Sequence, residues 1–380
     1  LVVTYRHRTL DQEMEKGYVT FGGNVYSRSR FNIEKEMDDV IGDFGGSHTL
    51  YARQIKRRGS LYQEYDSGGN LIWDFPLPLP PHANSLSGSP SPSTFVTTVL
   101  SQGGPENPTV NLPLFIYEMG DIPRMLRHAG NLLGKGVGLV APDPTLRGAS
   151  REIAEAIISY QFGWAPLIQD IGKMIGLAEA IDRRQRELEK LKERKGLRRK
   201  LKLWEGSLTT HGSETMSTVY GRYIEQDYIS NKRRKMWGTV RWKPRFPWLW
   251  RKNPSWIDAF RSVTGTNASM IPITVWKALP WSWAIDWFTN ASNVFLATRN
   301  IVLYKPSQVC IMRETSGDAF YMEKKYTTKR FITPGHIHTR YMERFVYNPT
   351  IDATLRVPFM DPFRLSVLGS LSVLAITGKR

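Results

Sequence analysis

From Ile153 to Leu188, mostly apolar side chains recur at alternating spacings of four and three: Ile153, Ile157, Tyr160, Trp164, Leu167, Ile171, Met174, Ala178, Ile181, Gln185 and Leu188. Only Gln185 is polar. That period aligns them on one face of an α-helix. Gly163 and Pro166 interrupt the series. Because proline lacks the helical N–H and collides with the preceding turn, the spacing predicts two stacked helices or one bent helix, broken near Gly163–Pro166. An intermolecular coiled coil shares this period, but the bulk of Tyr160 and Trp164 fits a globular bundle better.

Elsewhere the pattern changes. Residues 1–75 carry short alternating runs rich in Tyr, Gly and Arg, with DSGGN as a turn signal between two of them, and read as hairpins. Pro76 to Pro92, with prolines at 76, 78, 80, 81, 90 and 92, reads as a surface loop or semi-rigid spacer. Asp121 to Gly134 is a short helix by its Pro123 start and glycine end. Alternation returns over 203–245, where the basic cluster Lys232, Arg233, Arg234, Lys235 suits a loop between two strands. KKYTTKRFIT and HIHTRYMERFVY flank Pro334-Gly335 and read as a hairpin pair. Leu365 to Ile376 reads as a buried C-terminal helix.

These elements predict an α+β chain, elongated, with a helical bundle region and an antiparallel β-sheet region built from interleaved segments. The expected divisions are 1–115 mainly β (with the Pro-rich loop 76–92), 116–202 helical bundle, 203–245 β hairpins, 246–300 a Trp-rich helical bundle, 301–350 β hairpins and 351–380 a C-terminal helix.

The stretch LPWSWAIDWF (279–288) sets one acid among three tryptophans. As a helix opened or kinked at Pro280, it puts Trp283 and Trp287 on one face, continuing to Val294. Ser282, Asp286, Asn290 and Asn293 form a narrow polar stripe. A helix apolar nearly all round belongs in a core. Asp286 then needs a partner, either an Arg or a backbone N–H, since an unpaired buried carboxylate is costly.

Charge adds a partner class. Fifty-two Lys+Arg against 35 Asp+Glu leave a net charge of +17, pointing to a polyanion, with nucleic acid ahead of an anionic membrane. One cysteine, Cys310, excludes an intramolecular disulfide framework and a Cys-based zinc site. LVVTYRHRTL lacks a signal-peptide apolar region, and no window of about 18 residues is apolar and uncharged enough to span a bilayer.

Catalytic and cofactor signals are missing. GKGVG at 134–138 lacks the ending of a phosphate loop. His336 and His338 share a strand face, yet the sequence shows no third metal ligand beside them. No nucleophile elbow or H-E-x-x-H occurs, so no catalytic residue, metal ligand or cofactor is expected.

The basic runs carry the binding expectation. Residues 183–202 hold eleven Lys/Arg and three Glu, beyond what a solvated helix with balanced i,i+4 pairs needs. Arg183, Arg184, Arg186, Lys190, Arg194, Lys195, Arg198, Arg199, Lys200 and Lys202, with Lys232, Arg233, Arg234 and Lys235, are the expected RNA contacts, since each neutralised phosphate releases counterions. RWKPRFPWLWRKNP (241–254) suits either base stacking or core packing.

The stretch 275–290 (VWKALPWSWAIDWFTN) resembles the W-x-x-x-P-[FW]-S-[FW]-x-x-D-W-F-x-N signature of maturation (A) proteins of single-stranded RNA bacteriophages, levivirus type. QFGWAPLIQDI (161–171) is similar to that family's G-W-x-P-L-x-x-D stretch. Past Asn290 the chain has Ala-Ser-Asn where the family has something closer to Gly-Asp. The resemblance implies a virion protein in single copy, standing in the coat-protein shell, that binds genomic RNA near its 3′ end and a host bacterial pilus (pilin). It would enter the host cell with the RNA. By position, it makes Trp164, Pro166, Asp170, Trp276, Pro280, Trp283, Asp286, Trp287 and Phe288 scaffold of the helical region, and the β sections the projecting sheet. A basic RNA-processing enzyme and a peripheral membrane protein are the competing readings.

Overall fold

The computed structural model describes the chain except residues 1–3, 22–23, 42–47, 78, 80–85, 120–153, 155–156, 159, 162–164, 194, 218–222, 248–253, 280–281, 355–361 and 378–380. The fold is α+β with antiparallel sheets. Two compact units are each assembled from three chain segments: residues 1–99, 199–240 and 307–350 in the first, and 100–198, 241–306 and 351–380 in the second.

In the first unit, β1 (Thr4–Phe21), β2 (Asn24–Ile41), β3 (Leu50–Arg58), β12 (Gly335–Tyr347), β9 (Val309–Tyr321), β7 (Tyr223–Pro244) and β6 (Leu197–Ser217) lie side by side in that order. A smaller sheet follows the order β10 (Lys324–Thr327), β11 (Arg330–Ile332), β4 (Leu61–Tyr65), β5 (Leu71–Pro76). DSGGN is the β4–β5 turn, closed by Asp66 accepting from the backbone of Gly68 and Asn70 at 2.8 Å each. Ile55, Tyr62, Leu77, Leu79, Ile224, Ala319, Tyr321, Ile332 and Ile337 make one buried cluster joining residues of both sheets. Leu77 and Leu79 belong to the segment expected as a spacer. Both are buried, so the reading of a surface spacer is corrected for these two residues.

The hairpin expected across Pro334-Gly335 is also corrected. Arg330–Ile332 pairs with Lys324–Thr327 and with β4, while β12 pairs with β9 and β3 in the large sheet. Pro334-Gly335 is the step from one sheet to the other. A Cβ at Gly335 would stand 2.5 Å from Ser60 Oγ and 3.0 Å from Ser60 N, so only glycine passes there.

The second unit holds α2 (Leu112–Met119), α3 (Ala165–Ile175), α4 (Leu177–Lys192), α5 (Trp256–Thr264), α6 (Ile271–Ala278), α7 (Ser282–Phe288), α8 (Ala291–Leu303) and α9 (Pro362–Thr377); α1 (Val96–Gln102) runs across the division. Here β8 (Tyr304–Pro306) pairs with the end of β7. The helical series from Ile153 is broken at Gly176, between α3 and α4. The expected break near Gly163–Pro166 falls largely outside the described residues, as do the Asp121–Gly134 helix and GKGVG. On α4 the buried positions are Ile181, Arg184, Leu188 and Leu191, and α4 packs on α5, where Ala259 and Val263 are buried. Ser255 and Asp258 close a reciprocal capping box that fixes where α5 begins.

Helix α4 ends at Lys192 and β6 begins at Leu197, so the helical reading to residue 202 is corrected. Gly196 makes the reversal at φ 69°, and a Cβ there would lie 2.4 Å from the Trp242 carbonyl oxygen. Helix α9 is present, but only one side of it is buried: Val367 and Ser370 are covered while Leu365 and Leu368 are exposed. The expected buried C-terminal helix is corrected to a half-exposed one. No helix among the described residues is long and apolar enough to cross a membrane.

Candidate nucleic-acid interface

Strand alternation sorts the basic residues. Lys232–Lys235 lies in the middle of β7, not in a loop. Successive side chains of a strand face opposite ways, so the four cations separate in pairs. Arg234 is buried and its Nε donates to Thr315 Oγ1 at 2.9 Å. Lys232 shares that face, and its ammonium pKa is lowered by burial and by the Arg234 charge. Burial, with Arg313 nearby, also lowers the Arg234 guanidinium pKa. These two are therefore removed from the expected RNA contacts.

Arg233 and Lys235 face the other way. On that face β6 presents Lys200 and Lys202. Lys200 Nζ stands 5.1 Å from the centre of the Trp237 ring, near enough for a cation–π contact. Glu205 accepts from Arg233 Nε at 2.6 Å and pairs with Lys202 Nζ at 2.6 Å. These partners pull its carboxyl down from 4.5 to about 2. Further along, Lys235 lies opposite Glu314, which accepts from Arg340 Nε at 2.8 Å. The face thus carries Lys200, Lys202, Arg233, Lys235 and Arg340 against Glu205 and Glu314. These five cations outnumber the two carboxylates, and the Trp237 indole lies among them. Phosphates can meet the ammonium and guanidinium groups while a base stacks on an aromatic face.

The remaining basic residues distribute differently. In the second unit Arg183, Arg186, Lys190, Lys195 and Arg198 are exposed. Arg186 Nε donates to the Asp182 carbonyl at 3.3 Å. Arg199, in the first unit, is half-buried; Arg194 lies outside the described residues. Arg184 is corrected from binding to scaffold. It is buried in the α4 stripe, donates through Nη1 to the Pro105 carbonyl and through Nη2 to the Asn107 carbonyl at 2.6 Å, and pairs with Glu187 at 3.6 Å. The spacing Ile181, Arg184, Leu188, Leu191 carried that signal. Reading Gln185 as the seam member hid it.

Arg184 belongs to a polar knot that holds the segment following α1. Arg299 pairs with Glu106 at 3.3 Å and donates to Ser269 Oγ at 3.1 Å. Asn300 Nδ2 donates to the Leu100 and Ser101 carbonyls at 2.9 Å each. Burial lowers the Arg299 pKa and raises that of Tyr304 beside Glu106. In the 241–254 segment Trp242 is wholly buried, and Arg241 Nη1 donates to the Lys195 carbonyl at 2.9 Å. Core packing holds for that tryptophan; 248–253 lies outside the described residues.

The Trp-rich stretch is only partly a core. The helix stops at Phe288, and Asn290 opens α8. Phe288 and Ile285 are about half exposed, whereas Ser282 and Asn290 are buried, so the polar stripe points inward and the all-round apolar core reading is corrected. Asp286 accepts from Ser292 N at 3.0 Å, from Ser292 Oγ and from Trp276 Nε1 at 3.4 Å. Its partners include the expected backbone N–H, supplied by Ser292. Asn290 accepts from Thr354 N and donates to the Asp352 carbonyl, both at 2.8 Å. Trp276 packs on Phe295 with ring centres 5.3 Å apart, and Trp283 on Trp287 at 4.9 Å. Asp170 pairs with Lys173 at 2.7 Å. Pro166 lies in the first turn of α3, while Trp164 and Pro280 lie outside the described residues.

His336 and His338 share Asp318 as a partner at 3.2 and 2.8 Å, an acid supplied across the sheet by the β9–β12 register. Sequence spacing gave no sign of it. Compared with models of known protein families and with curated proteins, the chain matches none.

Proposed function

We propose that this chain is a virion maturation and attachment protein of an RNA phage, not an enzyme. It binds the genomic RNA near its 3′ end and the host bacterial pilus, stands in the coat-protein shell in single copy, and enters the host cell with the RNA. The two sequence stretches 161–171 and 275–290 support the family reading. The observation that carries RNA binding is the row of exposed Lys200, Lys202 and Arg233, with half-buried Lys235 beside them, around Trp237 on adjoining strands. Four cations placed against phosphates of a single strand give a log–log salt dependence of about −3. Between 50 and 200 mM salt, affinity then falls roughly 50-fold.

Protein–RNA crosslinking with mass spectrometry on RNA-containing particles tests this reading. Crosslinks at 198–202 or 233–241 are the expected result. Presence in the particles with crosslinks only elsewhere overturns the interface but not the virion role. Absence from the particles overturns the virion role itself.

A further inference from the structure

We propose that His7, Glu36 and Asp38 form a binding site for a divalent transition-metal cation of the zinc type, on the ribbon made by β1 and β2. This inference is independent of RNA binding. Strand register creates the grouping: His7 lies directly opposite Asp38, and Glu36 is two residues along β2, on the same face. One ligand atom from each lies within 4.8 Å of the other two, the one such group of three among the described residues.

Charge and access fit a cation. The run EKEMDD (34–39) concentrates four acids in a basic chain, and the pleat divides them. Asp39 turns to the opposite face, held by Arg6 at 2.5 Å and Arg8 at 3.3 Å. Glu34 is paired with Arg57. Near the proposed site, Arg53 Nε reaches Glu36 at 3.3 Å and Tyr51 lies across from Asp38. Two carboxylates therefore meet one guanidinium, and Asp38 has His7 Nδ1 at 2.5 Å. The His7 and Asp38 side chains are 59% and 51% exposed, so a hydrated cation has entry and water can complete its coordination.

Zinc bonds of roughly 2.0–2.2 Å to nitrogen and oxygen at tetrahedral angles set ligand atoms about 3.4 Å apart. The His7–Asp38 contact must open by about 1 Å and the widest separation close by a little more than 1 Å, changes within reach of exposed rotamers. The cation takes the place of the proton shared by His7 and Asp38. One imidazole with two carboxylates suits zinc and its neighbours, whereas magnesium prefers oxygen and water alone. The bound ion ties β1 to β2 close to the Thr4–Ile41 end of their pairing.

The test is a zinc titration of the full RNA-free chain against a chromophoric chelator, repeated with excess magnesium. The expected result is one zinc equivalent retained in magnesium, with affinity at least about 10-fold weaker in both His7→Ala and Asp38→Asn. His338→Ala, which alters the other His/Asp group, leaves that affinity unchanged. Circular dichroism checks that each variant is folded, and Glu36→Gln supplies a third ligand test. Wild-type affinity in the folded His7 or Asp38 variants overturns the proposal. So does loss of binding in His338→Ala, or a wild-type chain that retains no zinc.

Discussion

Arg183 and Arg184 are neighbours in one basic run, and replacing each by alanine separates scaffold from surface. Arg184 is buried and gives two charge-assisted hydrogen bonds, to the Pro105 and Asn107 carbonyls. A hydrogen bond to a charged group contributes about 1.5–3 kcal/mol, and a buried acceptor left without its donor carries a similar penalty. Arg184→Ala removes both of these donors and one ion-pair partner of Glu187, so the expected loss is about 3–5 kcal/mol. Arg183 is exposed one position away; its substitution stays within about 0.5 kcal/mol. Nine of the twelve tryptophans lie in the segments of the second unit, making intrinsic fluorescence during urea unfolding a suitable assay for this unit. An Arg184→Ala midpoint equal to wild type, or equal losses in both variants, would refute the argument.

Further outcomes follow from other sites. Lys200→Gln with Lys235→Gln reduces the magnitude of the log–log salt slope for single-stranded RNA binding by about 1.4, measured by filter binding across a salt series; Lys232→Gln leaves it unchanged. Glu205 is pulled below its ordinary 4.5 to about 2 by Lys202 and Arg233. The stability it adds is therefore full above pH 4.5 and disappears as pH falls through about 2. Comparing Glu205→Gln with wild type should show a gap that narrows over this interval and shrinks with salt; a gap independent of pH excludes the ion pairs as its cause. Gly196→Ala forces a Cβ onto a left-handed residue 2.4 Å from the Trp242 carbonyl oxygen. It should cost at least about 2 kcal/mol by urea unfolding, against little change for Gly172→Ala, which has open space around it.

Local rules made much of this protein legible. Alternation announced the strands of residues 50–76, 223–244 and 324–347, and DSGGN a turn, because side-chain period and turn chemistry act over a few residues. Helical spacing marked the series through Ile181 and Leu188, and the need to satisfy a carboxylate called for an Arg or a backbone N–H at Asp286, of which the N–H of Ser292 is present. Composition alone set the net positive charge.

Other properties depended on long-range pairing. Whether Lys232 or Arg233 faces solvent follows from which side of β7 is covered, and that cover comes from distant chain segments. Arg184 became scaffold because the carbonyls of Pro105 and Asn107, nearly eighty residues earlier, needed donors. Pro334-Gly335, which reads locally as a hairpin turn, became a passage between sheets because β12 found partners in β3 and β9. Asp318 joined His336 and His338, and His7 met Asp38, through strand registers alone. Sequence by itself determined which groups were available and the period with which they could face one way. Tertiary pairing decided which faces were buried and which distant groups came within hydrogen-bond reach, because those contacts join residues far apart along the chain.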